Sequence, residues 1–165
     1  MTSYYLRNNA SFFQLSDLIV AKCSKNGTAC VGLVLYGSSV VEQRPRDIDL
    51  LVVVDKDLTP SLARRVRGKL AVAVSREVQF ELDLDIRLRS LRGFSALSPL
   101  HFGILEGYVI LHEKSGLIGR ILARGEQIRA RWGTRKLKLG KNDWVLLPKG
   151  TTAEFEPIIY GEKLD

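Results

Sequence analysis

The chain has 165 residues, 45% of them apolar and 26% charged, a balance that fits one soluble globular domain and excludes collagen-like, disordered and repeat architectures. A formal net charge of +7 at pH 7 points to an acidic partner, whether nucleoside triphosphate, nucleic acid or acidic protein. No apolar run approaches the ~20 residues that span a bilayer, and Met1-Thr2-Ser3-Tyr4-Tyr5 lacks the basic-then-apolar pattern of a secretory leader. A cytoplasmic protein without membrane association is therefore expected. Cys23 and Cys30 are too few for a zinc site, so reduced buried thiols are expected, with a disulfide between them as the alternative.

Residues 8–26 open the fold as a helix. Phe12, Phe13, Leu15, Leu18, Ile19 and Cys23 have helical spacing, Asn8, Asn9 or Ser11 can cap it, and Asn26-Gly27 ends it. Its expected role is scaffold. A strand over residues 30–36 then runs into Gly37-Ser38-Ser39, and after a short polar loop Asp47-Ile48-Asp49 opens a second apolar run that reaches Asp55. Successive strand residues face opposite sides, so Asp47 and Asp49 share one face and Ile48 and Leu50 the other. Two like charges a few ångströms apart are unfavourable unless a cation joins them. Hard carboxylate oxygens suit Mg²⁺, and a glycine-serine turn offers hydroxyls and N–H groups to phosphates. Taken alone, an aspartate pair after a turn also fits a solvated loop.

Thr59 as cap and Pro60 in the first turn start a helix that runs to about Val74. Residues 77–89 alternate: Val78, Phe80, Leu82, Leu84, Ile86 and Leu88 on one face, Glu81, Asp83, Asp85, Arg87 and Arg89 on the other. If this strand pairs beside residues 47–54, Asp83 or Asp85 can join the first two acids in a two-metal arrangement. The alternative is a polar outer face whose acids and arginines neutralise one another.

A short helix follows Ser98-Pro99, a strand covers residues 108–112, and a helix with Leu117, Ile118, Ile121, Leu122 and Ile128 on its apolar face runs to about Arg131. His101 and His112 sit in apolar settings that suit satisfied core or edge residues better than ligands. Beyond them, residues 136–140, 144–150 and 154–160 read as short extended segments. The expected organisation is a domain over 1–132 and a β extension over 133–165, packed on the domain or exchanged in a homodimer. Trp132 and Trp144, beside Arg and Lys, suit an interface or stacking on bases.

The residues from about Val31 to Glu113 resemble the minimal nucleotidyltransferases of the DNA polymerase beta superfamily. Gly37-Ser38 resembles that family's turn, Asp47-Ile48-Asp49 its paired acids, Asp85 to Phe94 its third-acid strand and helical turn, and Ser98 to His112 its following helix, glycine and last strand. Asp85 lies five residues before Ser90, the spacing the family favours, and is therefore chosen over Asp83. The resemblance implies an α/β (α+β) fold with a mixed sheet and packed helices. It also implies one or two Mg²⁺ ions on Asp47, Asp49 and Asp85, with Gly37, Ser38, Ser39 and Arg46 on the phosphates. The implied reaction transfers a nucleoside monophosphate, AMP from ATP being favoured, to a hydroxyl on a protein or other acceptor, and Asp85 takes the proton. Small members often work beside a helical HEPN-type protein in toxin–antitoxin pairs where a tyrosine is adenylylated, which implies such a partner. One departure is local: Val40-Val41-Glu42 stand where the family often has Ala-Arg-Gly, and Arg44 or Arg46 are the nearby substitutes. That departure motivates the alternative of a catalytically weak fold that binds nucleic acid or a protein through basic residues. Those residues are Arg64, Arg65, Arg67 and Lys69 on one helix and the cations within Arg120 to Lys141.

Overall fold

The computed structural model describes residues 11–42, 45–78, 82–132, 135–138 and 144–147. The expected caps Asn8 and Asn9, the loop residue Arg44, the segment 154–160 and the side chains of Trp132 and Trp144 lie outside what is described. Helix α1 (Ser11–Lys25) places Leu15, Ile19 and Cys23 one turn apart on a fully buried stripe, with Phe12 beside it. Phe13, expected on that stripe, points out and is 80% exposed. Positions 12 and 13 lie about 100° apart around a helix, so one of two adjacent phenylalanines must leave the seam.

Strand β1 (Cys30–Tyr36) is buried throughout, and β2 (Asp47–Val54) is buried from Leu50 onward. Between them lies the four-residue helix α2 (Ser38–Val41). Helix α3 (Pro60–Glu77) begins where expected: the Leu62 N–H donates to Thr59 Oγ1 at 3.2 Å and Pro60 occupies the first turn. It continues three residues beyond Val74 because the Val78 N–H still reaches Val74 O at 2.8 Å and Lys22 Nζ meets Glu77 Oε1 at 2.9 Å. Of the strand expected over residues 77–89, the structure describes β3 (Asp83–Ser90), and Phe80 and Glu81 lie outside the described residues.

Two short helices follow, α4 (Leu91–Phe94) and α5 (Pro99–Ile104), then β4 (Tyr108–Glu113) and helix α6 (Leu117–Trp132). Strands β5 (Arg135–Lys138) and β6 (Trp144–Leu147) pair antiparallel as a separate two-stranded sheet. The main sheet has the order β3-β2-β1-β4, with β1 antiparallel to β2 and β4 and β2 parallel to β3 through the α3 crossover. This is the mixed α/β architecture expected from the sequence.

The central strands are apolar on both faces because both faces are covered. Leu33, Leu35, Ile48, Leu50 and Val52 form one core with α1 and α3. Val34, Tyr36, Leu51 and Val53 form the other with Phe94, Phe102, Ile118 and Leu122. On β3 only Ile86 and Leu88 are buried, while Asp83, Asp85, Arg87 and Arg89 face solvent. Cys23 and Cys30 are buried free thiols, and the Cys30 thiol donates to Gly32 O at 3.4 Å. Among the described residues no helix is long and apolar enough to cross a membrane.

His101 is a satisfied core residue. Its Nδ1 accepts from the Ser98 N–H at 3.2 Å and lies 3.0 Å from Ser98 Oγ, so the ring proton sits on Nε2, which donates to Phe94 O at 2.8 Å. The ring stacks on Phe94 with centroids 4.6 Å apart. Burial pushes its pKa below the ordinary 6.5. The unfolded chain thus binds the extra proton between the depressed folded value and 6.5, and stability present above 6.5 is lost as pH falls through that window. The expected outcome is a melting temperature that drops on acidification there, with a shallower drop in His101→Gln; equal slopes would disprove it. His112 lies half-buried on β4, the edge strand opposite β3.

Candidate functional site

The two ends of β1 and β2 that meet at the turn define the site. Antiparallel register sets Tyr36 opposite Asp49, and the chain then reverses at Gly37, whose φ of 74° and ψ of −152° lie in a region essentially reserved for glycine. A Cβ at Gly37 would overlap the Asp49 carboxylate oxygen Oδ2. Next along, Ser38 Oγ donates to Asp47 Oδ1 at 3.1 Å. Gly37 and Ser38 are thus fitted directly against the two acids. Ser39 goes elsewhere: it is buried, its hydroxyl donates to Tyr36 O at 3.1 Å, and its side chain does not line the cleft.

The parallel register of β2 and β3 sets Asp83 opposite Asp47 and Asp85 opposite Asp49, with neighbouring strands about 4.8 Å apart. Burial raises the Asp49 pKa above its ordinary value; the charges of Asp47 and Asp85 push the same way, and Arg87 and Arg46 oppose them. Asp85 and Asp49 are register partners, yet Asp85 Oδ2 is engaged by Arg87 Nε at 3.2 Å. Among the described residues no three of His, Cys, Asp and Glu converge on one point as a metal-holding group. The side chains as they stand therefore offer Asp47 and Asp49 as a pair, with Asp85 adjacent and held by an arginine.

Asp47 and Asp49 open into a cleft of about 810 Å³, whereas Asp85 lines a separate pocket at the edge of β3. Tyr36, Gly37, Ser38, Arg46, Asp47 and Asp49 form one side; Arg87 and Arg89 of β3, and Ser98, Pro99, Leu100 and Glu106 near α5, complete it. The Tyr36 hydroxyl is its most informative atom. Tyr36 is only 5% exposed, yet its hydroxyl has no hydrogen-bond partner among the described residues. Burial pushes its pKa well up, and Asp49 and Asp85 add to this against the opposing charge of Arg87, so the group remains a proton donor. A buried donor left unpaired costs about 1–3 kcal/mol, and a ligand acceptor in the cleft would satisfy it. Arg46 also lines the cleft.

Sequence reasoning missed Tyr36, Arg87 and Arg89. Tyr36 looked like one more apolar strand residue, and only its pairing with Asp49 shows that it belongs to the carboxylate side. Arg87 and Arg89 lie on the polar face of their strand, on the same parity as Asp85, where alternation by itself fits a charge-neutralising role equally well.

No protein-family model matches the sequence, and no curated protein matches it. Among solved structures, the chain is similar to one from a tri-AMPylated HEPN toxin in complex with an MNT antitoxin from Shewanella oneidensis. The identity is 19% over 73% of this chain and 91% of that one, with a TM-score of 0.46. A toxin–antitoxin MntA–HepT structure is 18% identical over 73% of this chain and 92% of that one, TM-score 0.45. A toxin–antitoxin structure with AMP-PNP is 20% identical over 71% and 91%, TM-score 0.46.

Replacement of Tyr36 by phenylalanine separates a structural role from a ligand-binding one. Removing an unpaired buried hydroxyl is expected to raise stability by about 1 kcal/mol. If the hydroxyl serves the cleft, the same change weakens binding of the cleft's ligand about fivefold or more, the cost of one hydrogen bond. Paired melting curves and titrations read both effects. Unchanged affinity would remove Tyr36 from the site.

Proposed function

We propose that this cleft transfers a nucleoside monophosphate, AMP from ATP being favoured, to an acceptor hydroxyl with release of pyrophosphate. The observation that supports it most is the fit of the Gly37 turn against Asp49, with Ser38 on Asp47, at the mouth of a cleft walled by arginines. A turn without a Cβ lets a phosphate chain approach the backbone beside two carboxylates.

The donor set fits a hard divalent cation. Mg²⁺ takes one or two protein carboxylates and completes its shell with water and phosphate oxygens, and the like-charge strain on Asp49 is relieved by a cation there. Asp47 and Asp49 would hold it, with Asp85, the register partner of Asp49 on the next strand, the third acid for a second ion. Bound there, it would neutralise phosphate charge and polarise the phosphorus under attack. The protein's own groups do the rest. Ser38, Arg46, Arg87 and Arg89 hold triphosphate oxygens, and Tyr36 donates to one of them. Asp85, released as Arg87 turns from it to the triphosphate, accepts the proton as the acceptor oxygen bonds to the α-phosphorus and the bond to the leaving pyrophosphate breaks. A tyrosine hydroxyl of a small helical HEPN-type protein, the acceptor implied by the sequence resemblance, is the first to test.

Calorimetric titration with each common nucleoside triphosphate, with and without Mg²⁺, tests the reading. At least one triphosphate is expected to bind in a metal-dependent way. Binding of none would overturn it.

A further inference from the structure

Two further depressions among the described residues adjoin the carboxylate cleft, and both are basic. The first, about 450 Å³, lies at the free edge of β3 beneath α3 and is lined by Arg64, Arg67, Arg87 and Arg89, with Asp85 as its one acid. The second, about 600 Å³, runs between α1 and α3 and is lined by Lys22, Lys25, Arg64, Arg65, Lys69 and Arg76, with Glu77 as its one acid. Each acid is already spoken for, Asp85 by Arg87 at 3.2 Å and Glu77 by Lys22 at 2.9 Å.

Shared walls set these depressions side by side. Arg87 and Arg89 line both the carboxylate cleft and the edge pocket, and Arg64 lines both the edge pocket and the groove between the helices. The periodicity of α3 explains the arrangement. Val66, Leu70, Ala73 and Val74 face the core. At 100° per residue this leaves Arg65, Lys69 and Arg76 on one flank, Arg67 on the other and Arg64 on the outer crest. A helix that needed charge only for solubility would mix both signs over its exposed faces. Here the residues from Pro60 to Arg76 include no acid, and among the described residues no carboxylate pairs with Arg64, Arg65 or Arg67.

We infer that this track binds the phosphate backbone of a nucleic-acid strand, laid along α3 and over the edge of β3 to the carboxylate cleft. Guanidinium forks match phosphate oxygens in pairs, and arginines predominate here. A basic groove that follows the backbone is the usual means of holding single strands. The surface suits an acidic protein less well. Protein interfaces concentrate their energy in buried aromatic and apolar anchors, whereas among the described residues the well-exposed large apolar side chains lining the track are two valines, Val72 in the groove between the helices and Val41 in the carboxylate cleft. The inference stands on charge and shape, and does not require the triphosphate reading.

The test is fluorescence anisotropy with a labelled single-stranded RNA of ~20 nucleotides over a range of salt concentrations. Neither triphosphate nor Mg²⁺ is present, so failure of nucleotidyl transfer leaves the result standing. The wild type is expected to bind with affinity that falls as salt rises. Arg65→Gln/Lys69→Gln should weaken binding about tenfold and lower the log–log salt slope by about 1.4, at ~0.7 per lost phosphate contact. Arg120→Gln/Arg124→Gln removes the same charge from exposed positions on α6 and should stay within about twofold of the wild type. Melting curves confirm that both variants fold. Absence of binding overturns the inference, as does equal loss in both variants, which would reduce the effect to net charge. Displacement of the RNA by oligoglutamate as readily as by unlabelled RNA also overturns it, and assigns the surface to an acidic protein.

Discussion

Joint replacement of Asp47 and Asp49 by asparagine is expected to abolish metal-dependent triphosphate binding while making the protein more resistant to heat. The binding loss should reach about 10²–10³-fold, because a hard cation deprived of its fixed carboxylates is left with water and phosphate oxygens alone. Stability moves the other way because the folded state raises the Asp49 pKa, chiefly through burial and then through the neighbouring charge of Asp47. With the folded pKa above the unfolded 3.8, stability declines as pH rises through that interval and stays reduced at neutral pH. Asparagine keeps the shape and an acceptor for Ser38 but removes the charge. The melting temperature at pH 7 should therefore rise, and the advantage should vanish below about pH 3.8. Calorimetry and melting curves across pH read the two effects together. Lost binding with a lowered melting temperature would mean that the acids support the fold instead of a ligand.

Gly37→Ala is expected to damage both fold and site. The backbone at φ 74°, ψ −152° costs a residue with a Cβ about 1–3 kcal/mol, and the added carbon overlaps Asp49 Oδ2. At roughly 2–4 °C per kcal/mol for a chain of this length, the melting temperature should fall by about 3–10 °C. Displacement of Asp49 should also cost most of the triphosphate affinity. Gly68→Ala is the matched control. It lies exposed within α3 with nothing within 4 Å of the added carbon, and should be neutral or stabilising by up to about 1 kcal/mol. If both substitutions behave alike, the turn at Gly37 is not the tight, Asp49-facing structure described.

What was legible in the sequence was legible for local reasons. The apolar run from Cys30 to Tyr36 ends at a glycine, and β1 ends there. Thr59-Pro60 announces a helix start through a cap and a fixed φ, and α3 starts there. Alternation on β3 correctly separates Ile86 and Leu88 from Asp85 and Arg87, because strand parity is a property of the strand itself. Differences arise where a distant residue or the exact shape of a turn decides. The C-terminal turn of α3 persists to Glu77 where Lys22 of α1 meets it, and Ser39 points inward because the tight turn brings its hydroxyl to Tyr36 O.

The sequence by itself determined that two acids share one face beside a glycine-serine turn, that a third lies on a later strand, and that α3 is studded with cations. These follow from periodicity and composition, which need no partner. Only the tertiary structure decided that Asp85 falls in register with Asp49 yet is engaged by Arg87, and that the Tyr36 hydroxyl is buried without a partner beside them. It alone joined the cations of α1, α3 and β3 into one track ending at the carboxylates. Register and edge position arise from pairing between segments tens of residues apart, and no local pattern encodes which strand will lie at the edge.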